Sequence, residues 1–375
     1  MTRHRRPRLP TTVRALVPPL LATALLAIAL SAAAAGPWAS AGGGPGPWLS
    51  HVAVLVRASG PNCPRGSAAA AELIMPAARE SVVRRGPFCL GDVGTSTALS
   101  PNGKLFAFSD PAGQMVIAHL DSGIRVILGH GTVPSFSHDS RYLAFTLLSG
   151  AVRVDMTSPT RPRVVRVGRT HGYLAGEVSW AHKSDMLAGL FEGRLNVPGF
   201  VRMSRPSQVV IAAEPNGIDD SDSAWSWDDR GLLYWSYLGN ELVLAKWSLG
   251  NHQTRSLATA KRPCGKTCQR VTPPVAIPGG AIFTQWAGVG MFGTMRDGKL
   301  STTVAVGTPY ATLESLALAP SGSEALLGWA GPSGKSRIGL WRVGAHKVWP
   351  LCRALQAFWV EGDQETRPAG RYGSV

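Results

Sequence analysis

The stretch Ser100-Pro101-Asn102-Gly103-Lys104-Leu105-Phe106-Ala107-Phe108 joins a four-residue turn to a short apolar strand. The same unit recurs as Ser137-His138-Asp139-Ser140 followed by Arg141-Tyr142-Leu143-Ala144-Phe145. Ser, Pro, Asn, Asp and Gly supply the dihedral angles and the side-chain caps that tight turns need. Because polar and apolar residues do not alternate after the turn, each run predicts a strand that is buried on both faces.

Four weaker copies of this unit follow along the chain. They begin at Ala181-His182-Lys183-Ser184, Trp227-Asp228-Asp229-Arg230, Ile277-Pro278-Gly279-Gly280 and Ala319-Pro320-Ser321-Gly322. Successive copies are therefore separated by about 40–50 residues, a period that is typical of a β-propeller with four short strands in each blade. The sequence predicts an all-β fold.

The two ends of this region predict how the propeller closes. Three apolar runs precede the first turn: Val52–Val56, Glu72–Met75 and Ser81–Arg84. They form a seventh blade that lacks its innermost strand, and Ala354–Val360 is a spare strand at the other end. If the last strand pairs with the first blade as its innermost strand, neither end of the chain leaves an unpaired strand edge. We therefore predict seven blades over residues 51–360. Six blades remain an alternative if residues 51–90 are a helical cap, since Ala68–Arg85 is rich in alanine.

The N-terminal region carries a targeting signal. Residues 1–14 contain five arginines and no acid, and Ala15–Ala35 contains no charged residue. This pattern predicts that residues 1–41 are either a cleaved signal peptide or a retained membrane anchor. Residues 42–50 are a Gly/Pro-rich linker, and residues 361–375 are a polar tail. In both cases the propeller is extracytoplasmic, either secreted or anchored to the cytoplasmic membrane by its N-terminus.

Composition narrows the function further. The chain of 375 residues is 45% hydrophobic and 16% charged, which excludes general disorder. Its formal net charge is +15, and it stays basic without the N-terminal arginines. A basic exported domain is attracted to anionic polymers, whereas export argues against nucleic acid as a partner. Membrane contact is expected only through the N-terminal segment.

The Ser-Pro-Asn-Gly turn at Ser100 and the Ser-His-Asp-Ser turn at Ser137, each running into an apolar strand, resemble the repeat of TolB-like and WD-repeat-like β-propellers. The resemblance covers residues 51–360 and implies a propeller that binds other molecules, usually proteins, on one face or at the mouth of its channel. It implies no Tol-Pal partner, because this chain has no room for the separate N-terminal domain of TolB.

The chain has five cysteines, which can form disulfides in the oxidising compartment that an exported protein enters. We expect Cys63 to pair with Cys89, because the loop after the second strand of the first blade lies on the same face as the linker that leaves it. Cys264 and Cys268 are expected to form a local disulfide that leaves Cys352 free. A link from Cys352 to Cys63 or Cys89 is the alternative.

Residues with catalytic chemistry are sparse, and we assign no catalytic residue. The sequence has no Gly-x-Ser-x-Gly elbow and no His-Glu-x-x-His motif. Asp219, Asp220 and Asp222 have the oxygen ligands that Ca²⁺ prefers, but a solvated turn is the favoured interpretation, so no cofactor is predicted. Most of the twelve tryptophans are expected to pack between blades, among them Trp180, Trp225, Trp235, Trp247 and Trp329.

These observations favour a non-catalytic extracytoplasmic binding module for a protein or an anionic envelope polymer. Linkers between blades vary in length and lie on one face, where recognition is usually built. The predicted binding residues are therefore Lys261, Arg262, Lys266 and Arg270, with Arg169 and His171 on another linker. The alternative function is a propeller enzyme with a metal-dependent site at the funnel mouth that acts on a sugar or a lactone.

Overall fold

The computed structural model describes residues 51–361 apart from short gaps. The gaps are residues 59–62, 66, 77–81, 92–96, 148, 159–160, 169–172, 193–196, 213–222, 239–240, 262–269, 272–273, 287–289, 297–298, 306–311 and 331–335. The N-terminal segment, the Gly/Pro linker and the tail after Glu361 lie outside the described residues, so the signal or anchor stays a prediction. No helix long and apolar enough to cross a membrane occurs in the described part of the chain.

Seven antiparallel sheets form the blades, and the first three contain strands β1 to β11. Blade 1 contains β1 (Val52–Arg57), β2 (Ala69–Pro76) and β3 (Val82–Leu90). Blade 2 contains β4 (Thr97–Leu99), β5 (Leu105–Ser109), β6 (Gln114–His119) and β7 (Arg125–His130). Blade 3 contains β8 (Thr132–Phe136), β9 (Tyr142–Leu147), β10 (Gly150–Asp155) and β11 (Arg163–Arg166).

The remaining blades repeat this order. Blade 4 contains β12 (Tyr173–Trp180), β13 (Met186–Glu192), β14 (Val197–Arg202) and β15 (Val209–Ile211). Blade 5 contains β16 (Ala224–Trp225), β17 (Gly231–Leu238), β18 (Glu241–Ser248) and β19 (Thr254–Lys261). Blade 6 contains β20 (Arg270–Val271), β21 (Val275–Ile277), β22 (Gly280–Trp286), β23 (Gly290–Arg296) and β24 (Lys299–Ala305), and both β20 and β21 pair with β22. Blade 7 contains β25 (Thr312–Leu318), β26 (Glu324–Ala330), β27 (Ser336–Arg342) and β28 (Val348–Cys352).

The last strand, β29 (Gln356–Trp359), is the innermost strand of blade 1. It pairs antiparallel with β1, so that Phe358 lies opposite Ala53. The Val360 amide extends this pairing by donating to the His51 carbonyl over 2.8 Å. The prediction of seven blades closed by the C-terminal strand is therefore confirmed.

The alternative of a helical cap over residues 51–90 is wrong. The alanine-rich stretch forms β2, whose Ala71, Leu73 and Ile74 are fully buried, and the first part of β3. Intrinsic helix propensity is a weak preference, and the burial gained by pairing with β1 outweighs it. Pro76, which would interrupt a helix, is the last residue of β2.

The second strand of a blade is buried on both faces, as its apolar run predicts. In β5, Phe106 and Phe108 pack against blade 1, where Phe88 lies 5.0 Å from Phe106 between ring centroids. Ala107 on the opposite face belongs to a cluster that includes Leu143 of blade 3. Alternate residues of one strand thus contribute to two different interblade cores.

Tryptophans fill several of these cores. The five that were expected to pack between blades are all buried, with exposed fractions from 0% to 7%: Trp180, Trp225, Trp235, Trp247 and Trp329. The predicted packing role of these residues is confirmed.

The connections between strands define two opposite faces. We call the face that holds the six turns between first and second strands the turn face. The opposite face, where the outer strand of one blade connects to the innermost strand of the next, is the linker face.

Candidate functional site

The turns on the turn face close with a repeated set of side-chain hydrogen bonds. Ser100 Oγ donates to Asn102 Oδ1 over 2.8 Å and accepts from the Leu105 amide over 2.9 Å. Bonds of 2.6 Å join Ser137 to Asp139 and Ser226 to Asp228 in the same way. The turn of blade 5 therefore begins at Ser226, one residue earlier than the sequence repeat suggested, because Ser226 has the role of Ser100.

A side chain with a ring occupies the second position of each of the six turns. These residues are Pro101, His138, His182, Trp227, Pro278 and Pro320. The imidazoles of His138 and His182 stack with centroids 4.8 Å apart and planes at 20°. The ring centroid of Trp227 lies 4.8 Å from that of His182. We call His138, His182 and Trp227 the ring row; it extends across blades 3, 4 and 5.

Trp227 extends the ring row toward blade 7. The turn of blade 6 is short, since Ile277 pairs directly with Gly280. The space beside it is occupied by Trp227, whose Cη2 atom would lie 2.9 Å from a Cβ at Gly322 of blade 7. Gly322 also has a φ of +70°, so a glycine is needed there for both space and conformation.

The fourth position of the turns joins neighbouring blades. Ser140 of blade 3 has a φ of 59°, and its Oγ accepts from the Asn102 amide of blade 2 over 3.1 Å. Asp229 of blade 5 has a φ of 55°, and its carboxylate accepts from the amides of His182 over 2.8 Å and Lys183 over 2.5 Å. The left-handed conformation of the fourth residue thus accompanies a side-chain acceptor that caps the preceding blade.

The contact between Asp229 and His182 joins an acid to an imidazole of the neighbouring blade. Asp229 is 9% exposed, and its Oδ1 lies 3.3 Å from His182 Nδ1. Burial acts to raise the pKa of Asp229, but hydrogen bonds from the side chain and amide of His182 and from the Lys183 amide outweigh it, and the pKa is lowered. Since both carboxylate oxygens bind blade 4, the pair holds two turns together rather than activating a nucleophile.

The pKa of His138 is also lowered. Desolvation lowers the pKa of His138, and the stacked His182 lowers it further, while Asp229 and Asp139 act in the opposite direction. His138 is therefore neutral at pH 7. The ring row presents uncharged imidazole at one end and indole at the other.

The predicted cationic binding residues belong to linkers on the linker face. Lys261 was expected in a loop but is the last residue of β19, where it pairs with Glu241. Arg270 is the first residue of β20. Arg262 and Lys266, together with the expected Cys264–Cys268 disulfide, lie outside the described residues.

Two further linkers carry the other predicted site residues. Arg169 and His171 lie between β11 and β12, and Asp219, Asp220 and Asp222 lie between β15 and β16. All five are outside the described residues, so their roles stay predictions. Within the described ranges, no three His, Cys, Asp or Glu residues are placed to hold a metal ion.

The linker side of blade 1 carries a disulfide. Cys63 between β1 and β2 is bonded to Cys89 near the end of β3, the pairing expected from their positions in the blade. Cys352 is a buried free thiol at the end of β28. Burial raises the pKa of Cys352 to about 11, which disfavours the reactive thiolate.

Sequence reasoning missed the ring row and the contact of Asp229 with blade 4. An available signal was the alignment of the copies by turn position, which places a ring at the second position five times; Trp227 takes that position only when the blade 5 turn begins at Ser226. The stacking itself had no sequence signal, because it depends on the distance between separate blades.

Comparison with known proteins identifies the fold. No protein-family model matches the sequence, and no curated protein matches it. A prolyl endopeptidase structure aligns over 90% of this chain and 56% of its own, with 12% identity and a TM-score of 0.54. Dihydro-heme d1 dehydrogenase NirN aligns over 82% of this chain and 75% of its own, with 12% identity and a TM-score of 0.51.

The chain is a seven-bladed β-propeller. TolB from Acinetobacter baumannii is also among the similar structures, with 12% identity, 73% of this chain and 68% of that chain covered, and a TM-score of 0.46. The seven sheets of the structure agree with the propeller fold that the resemblance implied. At these identities similarity says nothing about ligand or activity.

Proposed function

We propose that this chain is an extracytoplasmic propeller that binds a protein or an anionic envelope polymer through its linker face and catalyses no reaction. The observation that carries the proposal is the contrast between linkers. A single residue, Gly131, joins blade 2 to blade 3, whereas residues 167–172, 212–223 and 262–269 join the next three pairs of blades. Long connections of unequal length on a rigid scaffold are where recognition is built.

The chemistry of the turn face supports placing this partner on the opposite side. The oxygens of Ser137, Asp139 and Asp229 are engaged within or between turns. They are therefore occupied in holding the scaffold. The described His–Asp pair is likewise used for backbone binding, which favours a binding module over an enzyme.

The proposed compartment rests on two features. The basic and then apolar N-terminus is that of an exported chain. The Cys63–Cys89 disulfide is a bond that persists in oxidising compartments.

The test is cross-linking in the native envelope, with capture through this chain. Replacing Lys261, Arg262, Lys266 and Arg270 with Ser should reduce capture and leave the melting temperature unchanged. If the partner is anionic, capture by the wild type should also fall as salt rises. Protease treatment of the captured material distinguishes a protein from a polymer.

A matched control removes the same charge from the other face. Arg161, Lys183, Arg205 and Arg230 are exposed on the turn face, and their replacement with Ser should leave capture intact. Loss of capture in this control alone would move the site to the turn face and overturn the assignment. A stoichiometric metal in the purified protein would instead support the propeller enzyme.

A further inference from the structure

The turn face repeats a contact in which an oxygen of one blade caps amides of the preceding blade. Ser140 Oγ caps the Asn102 amide, and the Asp229 carboxylate caps two successive amides, those of His182 and Lys183. Two successive N–H groups that point to one place form a concavity suited to an anion. Asp229 shows that in this protein such a pair accepts a carboxylate.

The corresponding pair in blade 3 is left open. No acceptor among the described residues takes a hydrogen bond from the amide of His138 or of Asp139. The residue equivalent to Asp229 in the next blade is Ser184, which makes no hydrogen bond to them and lacks the positive φ of Ser140 and Asp229. Its Oγ is buried and has no hydrogen-bond partner. Buried polar groups are normally paired, so this cluster lacks an acceptor.

We propose that the gap between the turns of blades 3 and 4 is a carboxylate-binding site. The two oxygens of a ligand carboxylate accept from the amides of His138 and Asp139, and the Ser184 hydroxyl donates to the same group. The adjacent blade 4–5 contact supplies the precedent, because there Asp229 holds the equivalent amide pair from within the chain. This site lies on the turn face, so it is independent of the partner proposed for the linker face.

Charged side chains of both signs surround this site. Lys183 and Arg141 are exposed on the two flanking turns and attract an anion. The carboxylates of Asp139 and Asp229 also belong to this cluster and repel one. The stacked imidazoles of His138 and His182 offer a flat surface for the group that bears the carboxylate.

The first test is amide chemical shifts in the ¹⁵N-labelled full-length protein. Sodium acetate, compared with sodium chloride at the same pH and ionic strength, should move the His138 and Asp139 amide protons downfield until the site is saturated. Amides of His182 and Lys183, already capped by Asp229, should not respond. Equal shifts with acetate and chloride, or none with either, would overturn the proposal.

Three probes then identify the source of the carboxylate. They are an acidic peptide with an amidated C-terminus, a neutral peptide with a free C-terminus, and glucuronate. The probe that saturates the shifts of the same two amides at the lowest concentration identifies the source. The amidated acidic peptide stands for a side-chain carboxylate, the free C-terminus for a chain terminus, and glucuronate for an acidic sugar. If none of them moves those amides although acetate does, the site accepts only a small free carboxylate.

A variant supplies the missing group from within the chain. Ser184→Asp should abolish the acetate response and raise the melting temperature, whereas Ser184→Asn, which offers an uncharged acceptor, should change both less. An acetate response that persists in a folded Ser184→Asp protein would contradict the site.

Chemical rescue tests the same chemistry without relying on that variant. Asp229→Ser opens the amide pair of His182 and Lys183 and should lower the melting temperature. Acetate should restore part of this loss, and chloride at equal ionic strength should not. Equal recovery in both salts would show that the amide pair has no preference for a carboxylate.

Discussion

At the scale of single residues, the fourth position of the turn joins neighbouring blades in blades 3, 5 and 7. Ser140 and Asp229 adopt left-handed conformations there and donate no backbone hydrogen bond across the blades; their side-chain oxygens make the contact instead. Gly322 takes the same position in blade 7, where close packing against Pro278 and Trp227 leaves no room for a side chain. One turn position therefore serves two kinds of contact.

Replacing Asp229 with Asn should destabilise the protein in a pH-dependent way. Asn tolerates the left-handed conformation, so the change removes mainly the charge-assisted hydrogen bonds, which contribute about 1.5–3 kcal/mol. The pKa of Asp229 is lowered in the folded state, so this stability is fully present above the unfolded pKa of about 3.9 and is lost as pH falls through the folded pKa. Urea unfolding at neutral and acidic pH measures the difference in free energy of unfolding between the wild type and the variant. If this difference stays constant down to about pH 2, the charge of Asp229 does not have this role.

Replacing Gly322 with Ala should cost more than the same change at Gly123. The two glycines have φ values of +70° and +72°, so the conformational cost of about 1–2 kcal/mol is matched. A Cβ at Gly123 meets nothing within 4 Å, whereas one at Gly322 lies 2.7 Å from Pro278 Cδ. We expect at least about 1 kcal/mol of additional loss at Gly322, measured as a difference in melting temperature. Equal losses would show that the packing of Trp227 and Pro278 adjusts freely.

At the scale of elements, tryptophans at the ends of innermost strands join adjacent blades. Trp180 Nε1 of β12 donates to the Ser135 carbonyl of β8 over 2.9 Å, and Trp359 Nε1 of β29 donates to the Ala317 carbonyl of β25 over 2.8 Å. Trp225 ends β16 in the same way, but its buried Nε1 has no partner among the described residues. The three equivalent strands therefore offer a controlled comparison.

Phe replacements at these positions should separate the hydrogen bond from the packing. Trp180→Phe and Trp359→Phe each lose a hydrogen bond of about 1 kcal/mol and leave a backbone carbonyl with one acceptor position unused. Trp225→Phe loses a similar volume but no hydrogen bond, and it should be the least destabilising of the three in urea unfolding. The opposite order would assign the stabilisation to indole packing alone.

At the scale of the whole molecule, closure of the ring protects the first blade. β29 pairs with β1 and covers an edge that would otherwise expose unpaired amides and carbonyls. Removing residues 354–375 should therefore give an aggregating protein, whereas removing residues 362–375 keeps β29 and should not. Light scattering and thermal unfolding of both truncates test this. A soluble protein with an unchanged transition after the longer truncation would contradict closure by the C-terminal strand.

Much of the fold was predictable because its repeat is local. The turn at Ser100 and the strand after it lie within one short stretch, and their turn chemistry needs no distant partner. The spare strand at the C-terminus and the incomplete blade at the N-terminus were both visible, so closure followed from the need to satisfy open edges. The stretch Ala68–Arg85 was ambiguous because its composition favours a helix while its burial requires strands.

The amino-acid sequence by itself determined the strands, the turns, their period and the identity of the closing strand, since each depends on residues that are close in the chain or on hydrophobic pattern. Only the tertiary structure decided which turn residues meet. Asn102 and Ser140 are 38 residues apart, and His182 and Asp229 are 47 apart, so their contacts exist only after neighbouring blades pack side by side. The open amide pair of blade 3 belongs to this second class, because an absent acceptor is recognised only when the equivalent position of the next blade is known.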